Sequence, residues 1–301
     1  MIGKRGMDMP AAIAHYLHGE KIWSELEKTG RVQKERLIKD AFDWGKQGPD
    51  FLFCHRFFPW QKGESLQELG NRLHEEPPEN TLRALQQLWR EQPGAAARSY
   101  ILGFLCHYSL DRTCHPYIEF LSREMLEADS SQTEGIFHNE IESALDGILF
   151  RWETGNLVTE FRLPKTLPKN QEVQEAIAGL YDALLRELLG LPGKERQVLQ
   201  AEKDARLVFR ALDDRTSLKK QLMEKIEKKG RRNISCHLRG MLEGGDWDYA
   251  NVNHASWNDR EGAAHTEDFF QLFDQAVEDA WFLVKNFPDG EPEALAQGKF
   301  F

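Results

Sequence analysis

The feature that most limits how this chain can fold is its periodicity. Apolar residues return at helical spacing along nearly every long segment, and no run alternates in the manner of a half-buried strand. Gly and Pro punctuate these segments. The spacing predicts helices over 11–28, over 32–44 (closed by Gly45), over 65–76 (stopped by Pro77 and Pro78) and over 81–92. A long apolar helix from about 95 to 115 is expected to halt at Pro116, because the residue before a proline is driven out of the helical region. Ser131 and Glu134 have capping-box spacing ahead of "GIFHNEIESALDGILFRW". Further helices are expected over 172–189, 194–213, 217–229 and 266–286, with 244–265 as the longest loop. No linker or repeat divides the chain, so the reading is all-α, one compact multi-helix domain over 1–301 with its site between central helices.

The stretch "GFLCHYSLDRTCHPY" raises a problem within that frame. His107, Asp111 and His115 recur every four residues and so share one side of a helix, yet Ile101, Leu102, Phe104, Leu105, Tyr108 and Leu110 cover most of its circumference. Gly103, one turn before His107, leaves space. Burying an ionised Asp without a partner costs several kcal/mol or more. Two arrangements relieve that cost: a hydrogen-bonded His–Asp–His ladder, or a divalent metal taking imidazole nitrogen and carboxylate oxygen, a donor set that suits zinc. The spacing alone arises by chance about once in twenty such chains. A second helix adds weight, because His138 and Glu142 lie on one stripe with Ile141, Leu145 and Leu149. The metalloprotease pattern H-E-x-x-H is absent.

Composition narrows the partners. A formal charge of −10 argues against a sequence-indifferent binder of duplex DNA, which normally presents a basic face, but a metal ion would supply local positive charge for a small phosphoester. "KIEKKGRR" (225–232) is a basic patch that reads as a surface turn, with contact to an anionic surface as the alternative. Cys54, Cys106, Cys114 and Cys236 form no close pair. With no secretory h-region and no apolar run of membrane-spanning length, the expectation is a cytoplasmic protein with reduced thiols and at most peripheral membrane contact. "FLFCHRFFPW" suits either core packing or a lipid-admitting lip.

Five segments occur together in order: "AHYLHGEKI", "GKQGPDFLF", "LGNRLHEE", "GFLCHYSLDRTCHPY" and "HNEIESALD". In these segments, over roughly 9–146, the chain resembles the zinc-dependent phospholipase C family, whose helical fold is shared with fungal single-strand nucleases; 147–301 is then a helical C-terminal part. The resemblance implies two or three zinc ions per chain. His74, His107, Asp111 and Asp50 would hold one; His115, His138 and Glu142 a second; His15 would join a bridging Asp111 at a third. It also implies that Asp50 orients or deprotonates the attacking water. Secreted members complete the third site with an N-terminal tryptophan, and this chain has none before Trp23. That leaves the site empty, completed by another group such as His18, or His15 structural. The gap between the bridging Asp and the next His is also shorter than in secreted members.

Each residue has a plainer role available. Asp50 after Pro49 suits a helix N-cap, His74 the negative end of a helix dipole, and His15 or His18 a core position. His55 reads as packing or a pocket wall, and His254 as a loop residue that could reach the cleft. The implied activity is phosphoester hydrolysis on a small phosphoester or phospholipid. One alternative is a nuclease or nucleotide phosphoesterase that stacks bases on Trp247, Tyr249 or Trp257. The other is a metal-stabilised binding protein without catalysis, its cleft blocked by Phe301 or the long loop.

Overall fold

The computed structural model describes residues 11–91, 94–227, 230–240 and 247–301. Gln92, Lys228, Lys229 and 244–246, which the expected helix ends and long loop include, lie outside the described residues. The helices are α1 (Ala12–Lys28), α2 (Arg31–Glu35), α3 (Lys39–Gly45), α4 (Gln67–Glu75), α5 (Pro78–Glu91) and α6 (Ala95–Ala128). They continue as α7 (Glu134–Thr154), α8 (Gln171–Leu189), α9 (Glu195–Leu212), α10 (Leu218–Glu227), α11 (Phe269–Asn286) and α12 (Pro292–Ala296). Among the described residues the only strands are the two-residue antiparallel pair β1 (Trp257–Asn258) and β2 (Ala264–His265). The fold is all-α. No helix of the described residues is long and apolar enough to cross a membrane.

Two compact units are present, each assembled from separate stretches of chain. One takes the described residues up to Ala14, Thr113–Pro164 and Phe209–Gln275; the other takes His15–Arg112, Lys165–Val208 and Ala276–Phe301. In the second unit every residue from Ser99 to Arg112 is buried, as the apolar circumference of that helix requires. α3 meets it backbone to backbone. A Cβ on Gly103 would stand 2.3 Å from Phe42 O and 2.8 Å from Gly45 Cα, and one on Gly45 would stand 2.2 Å from Tyr100 O. The space at Gly103 is therefore occupied by a neighbouring helix.

Several boundaries differ from the sequence reading. The expected helix over 32–44 is two helices, because Arg36 takes φ 55° and the Ile38 N–H donates to Ser99 Oγ. α6 does not stop at Pro116 but runs through it to Ala128. An interior proline costs about 3 kcal/mol, and burial of Tyr117, Ile118, Leu121 and Met125 beyond it offsets that loss. Ser131 does not cap α7. Its hydroxyl donates to Asp129, and Thr133 occupies the N-cap. "FLFC" forms the buried 3-10 helix Asp50–Cys54, whereas Trp60 is exposed and stacks on Phe58 at 4.6 Å.

Two fold-level outcomes follow. Gly103→Ala should cost about 1–3 kcal/mol by forcing two backbones apart, measured by denaturant unfolding; an unchanged midpoint would contradict the contact. Glu202 on α9 is fully buried, neither oxygen makes a full hydrogen bond, and burial pushes its carboxyl up to about 9. The folded state thus holds a proton that the unfolded chain gives up above the ordinary carboxylate range. Glu202 is least costly at low pH, and stability drains as pH climbs toward 9. Glu202→Gln should flatten the fall in Tm between about pH 5 and 9.

Candidate metal centre

The buried part of α6 places His107 and Asp111 one turn apart, and α1 adds His15. Asp111 Oδ1 lies 3.1 Å from His15 Nε2 and Oδ2 lies 3.0 Å from His107 Nε2, with all three residues buried. The rings of His15 and His107 are 4.4 Å apart. Asp50 approaches His107 from the other direction, delivered by the turn after α3. Gly48 is essential to that turn: its φ is +49°, and a Cβ would stand 2.0 Å from His107 Cδ2. The hydroxyls of Tyr100 and Tyr181 lie 2.7 Å apart and 2.7 and 3.1 Å from Gly48 O. One donates to the carbonyl and the other to its neighbour, which pins the turn.

Asp50 opens its 3-10 helix without acting as its cap, since Pro49 holds the cap position. Its Oδ1 lies 2.9 Å from His74 Nε2 and 3.9 Å from His107 Nε2. His74 Nδ1–H donates to Gly70 O at 2.8 Å, which turns Nε2 toward Asp50. Phe53 stacks on the His74 ring at 5.4 Å. Burial pushes the His74 imidazole down, but the Asp50 carboxylate outweighs it and holds it up near about 9.

In the other unit, His138 Nε2 lies 3.3 Å and His115 Nε2 lies 3.8 Å from Glu142 Oε1. Burial pushes the Glu142 carboxyl up, yet His138 and His115 more than reverse this and hold it at about 2. Three groups could hold a metal ion, each with ligand atoms within 4.8 Å of one another: His15, His107 and Asp111; Asp50, His74 and His107; and His115, His138 and Glu142.

These donors fit a zinc ion better than a metal-free ladder. Tetrahedral bonds of about 2.0–2.1 Å set neighbouring ligand atoms roughly 3.3 Å apart. The separations of 2.9 to 3.9 Å bracket that value, and those at 3.8 and 3.9 Å are too long for hydrogen bonds. His107, fully buried, makes no hydrogen bond through either ring nitrogen despite its nearness to Asp111, so the ladder is not formed there.

The remaining candidates fall outside these groups. His18 is buried on α1, where burial pushes it down to about 4. His55 Nδ1 accepts the Leu66 N–H, and His254 is exposed beside Thr266 O. The four cysteines are buried and form no disulfide, and burial pushes the thiols of Cys54, Cys106 and Cys236 up. Trp257 is buried, stacks on His265 at 4.4 Å and donates Nε1–H to Glu267 O, so it offers no free stacking face, while Tyr249 is part-buried and its OH donates to Glu140.

Two features escaped the sequence reading, Asp146 and His237, and a third, Phe301, is where the sequence reading offered it as a residue that could cover the site. Asp146 accepts the backbone N–H groups of Ile13 and Ala14 and a hydrogen bond from Arg239, capping the first turn of α1. Its signal was visible, one turn beyond Glu142 on the same stripe. Buried His237 is near enough to Glu142 for that carboxylate to act on its ring. Phe301 lays its ring 5.2 Å from His74 and 6.0 Å from His107. The tail is fastened there by Tyr108 OH, which donates to Lys299 O, and by Arg112, which donates to Leu295 O and Ala296 O.

No curated protein and no solved structure matches the chain. A family model, described as zinc dependent phospholipase C, matches residues 14–190, more than half of the chain and a span within which the eight candidate ligands lie. The chain belongs to the zinc-dependent phospholipase C family.

Proposed function

We propose that this chain hydrolyses phosphodiesters, with phospholipid the foremost substrate class, and that zinc is held by His15, Asp50, His74, His107, Asp111, His115, His138 and Glu142. The observation that carries the reading is the convergence of Asp50 and Asp111 on His107, whose ring nitrogens have no hydrogen bond in a fully buried setting. Family membership supports a hydrolase. Bound zinc supplies Lewis acidity and lowers the pKa of water toward neutrality.

The chain's own residues do the rest. Asp111 turns one oxygen toward each of two imidazoles, so that a shared ion would lie between them. The Gly70 carbonyl holds the proton of His74 on Nδ1 and leaves Nε2 for the centre. Asp50 orients the attacking water and accepts its proton. Phe53 and Phe301 flank the His74 ring.

A second reading, a metal-stabilised protein that binds a partner without turnover, is favoured by one contact, the Phe301 ring against His74 and His107. The nucleic-acid version loses one of its three candidate stacking residues, because Trp257 is committed to packing.

The test is turnover of bis-p-nitrophenyl phosphate, phosphatidylcholine and single-stranded DNA by the zinc-loaded full chain. We expect activity on the first two that chelation abolishes and zinc restores, and a loss in kcat of about 10²–10⁴-fold in Asp50→Asn. Inactivity of both the wild type and Phe301→Ala on all three substrates would sink the hydrolase and leave the binding protein.

A further inference from the structure

α10 is built like a surface helix turned inside out. None of its residues is buried, yet Leu218, Leu222 and Ile226 are 63%, 54% and 67% exposed. Spaced by four, they form one aliphatic stripe along the helix. A helix of a globular protein normally turns such a stripe to the core. Here it faces solvent.

The charge around the stripe is opposite in sign to that of the whole chain. Lys219, Lys220, Lys225, Arg231 and Arg232 stand against Glu224 and Glu227 in this segment, whereas the chain carries −10. Some of these groups are already engaged. Lys219 Nζ donates to Ala211 O and Asp213 O, Arg232 pairs with Glu140, and Glu227 accepts from the Ile234 and Ser235 N–H groups. Lys225 and Arg231 are exposed and make no ion pair among the described residues. The sequence marks the same place, since "KIEKKGRR" overlaps this helix end.

We propose that α10 seats this chain on an anionic lipid surface. Leu218, Leu222 and Ile226 enter the boundary between headgroups and acyl chains, and Lys225 and Arg231 meet the headgroup anions. A short apolar face gives weak, reversible binding, and adjacent cations supply the second signal that interfacial binding requires. A protein groove would have to match both the stripe and the surrounding cations, whereas an anionic bilayer offers both everywhere on its surface. α10 carries none of the candidate metal ligands, so the proposal stands or falls apart from turnover.

The experiment is co-sedimentation of the full chain with vesicles of phosphatidylcholine alone or mixed with phosphatidylserine. Partitioning should be about tenfold or more stronger onto the mixed vesicles and should weaken with salt. Leu222→Glu and Lys225→Glu, both at exposed positions, should each reduce it about tenfold with the melting temperature unchanged. Equal partitioning onto both compositions, or wild-type binding by both variants, would overturn the proposal. So would a concentration-dependent dimer abolished by Leu222→Glu, which would assign the stripe to a second copy.

Discussion

A carboxylate in a dry interior needs opposite charge close by, and Asp111 is such a group. It is 3% exposed, on a stretch of α6 in which every residue from Ser99 to Arg112 is buried. Taking an ion out of water costs several kcal/mol even after the surroundings relax. Two imidazoles face its two oxygens, and of these His107 makes no hydrogen bond through its ring. Asp50 approaches the same ring while also pairing with His74 at 2.9 Å. A divalent cation balances two carboxylates and takes the imidazole lone pairs in one step. The same side chains that crowd one another in the core are donors of the kind a divalent cation would take.

That ligand set depends on backbone contacts that place it. α3 rests on α6 where Gly45 and Gly103 have no side chains, and the turn that follows reaches His107 only because Gly48 has none either. The two tyrosine hydroxyls at Gly48 O then hold the turn in register. Hydrogen bonds orient what the backbone delivers: Gly70 O fixes one imidazole, and Tyr108 and Arg112 draw the tail in so that Phe301 covers it. The polar groups and the packing are interlocked, and neither would keep its geometry without the other.

Much of this was legible in the sequence because helical periodicity is local. The buried circumference of α6 and the shared stripe of His138 and Glu142 follow from 3.6-residue spacing, whereas the space expected at Gly103 is filled by α3. What was missed depends on distant contacts. The break after α2 is set by Arg36 and by Ser99, some sixty residues away. Pro116 signals a stop, yet packing beyond it carries α6 onward. Ser131 satisfies a pattern that its own neighbour Asp129 defeats. Phe301 was offered as a residue that could block the cleft, but its partners on α4 and α6 were not readable from local spacing. Asp146 was readable as a third inward acid but not as the cap of α1, which lies more than a hundred residues away in sequence.

The most direct measurement is metal content by elemental analysis of the full chain after dialysis against zinc and then against zinc-free buffer, beside Asp111→Asn and Glu142→Gln. The account predicts more than one tightly held zinc ion in the wild type, with loss from each variant in proportion to the group it disrupts. Zinc-free wild-type protein, or variants that hold as much zinc as the wild type, would contradict it.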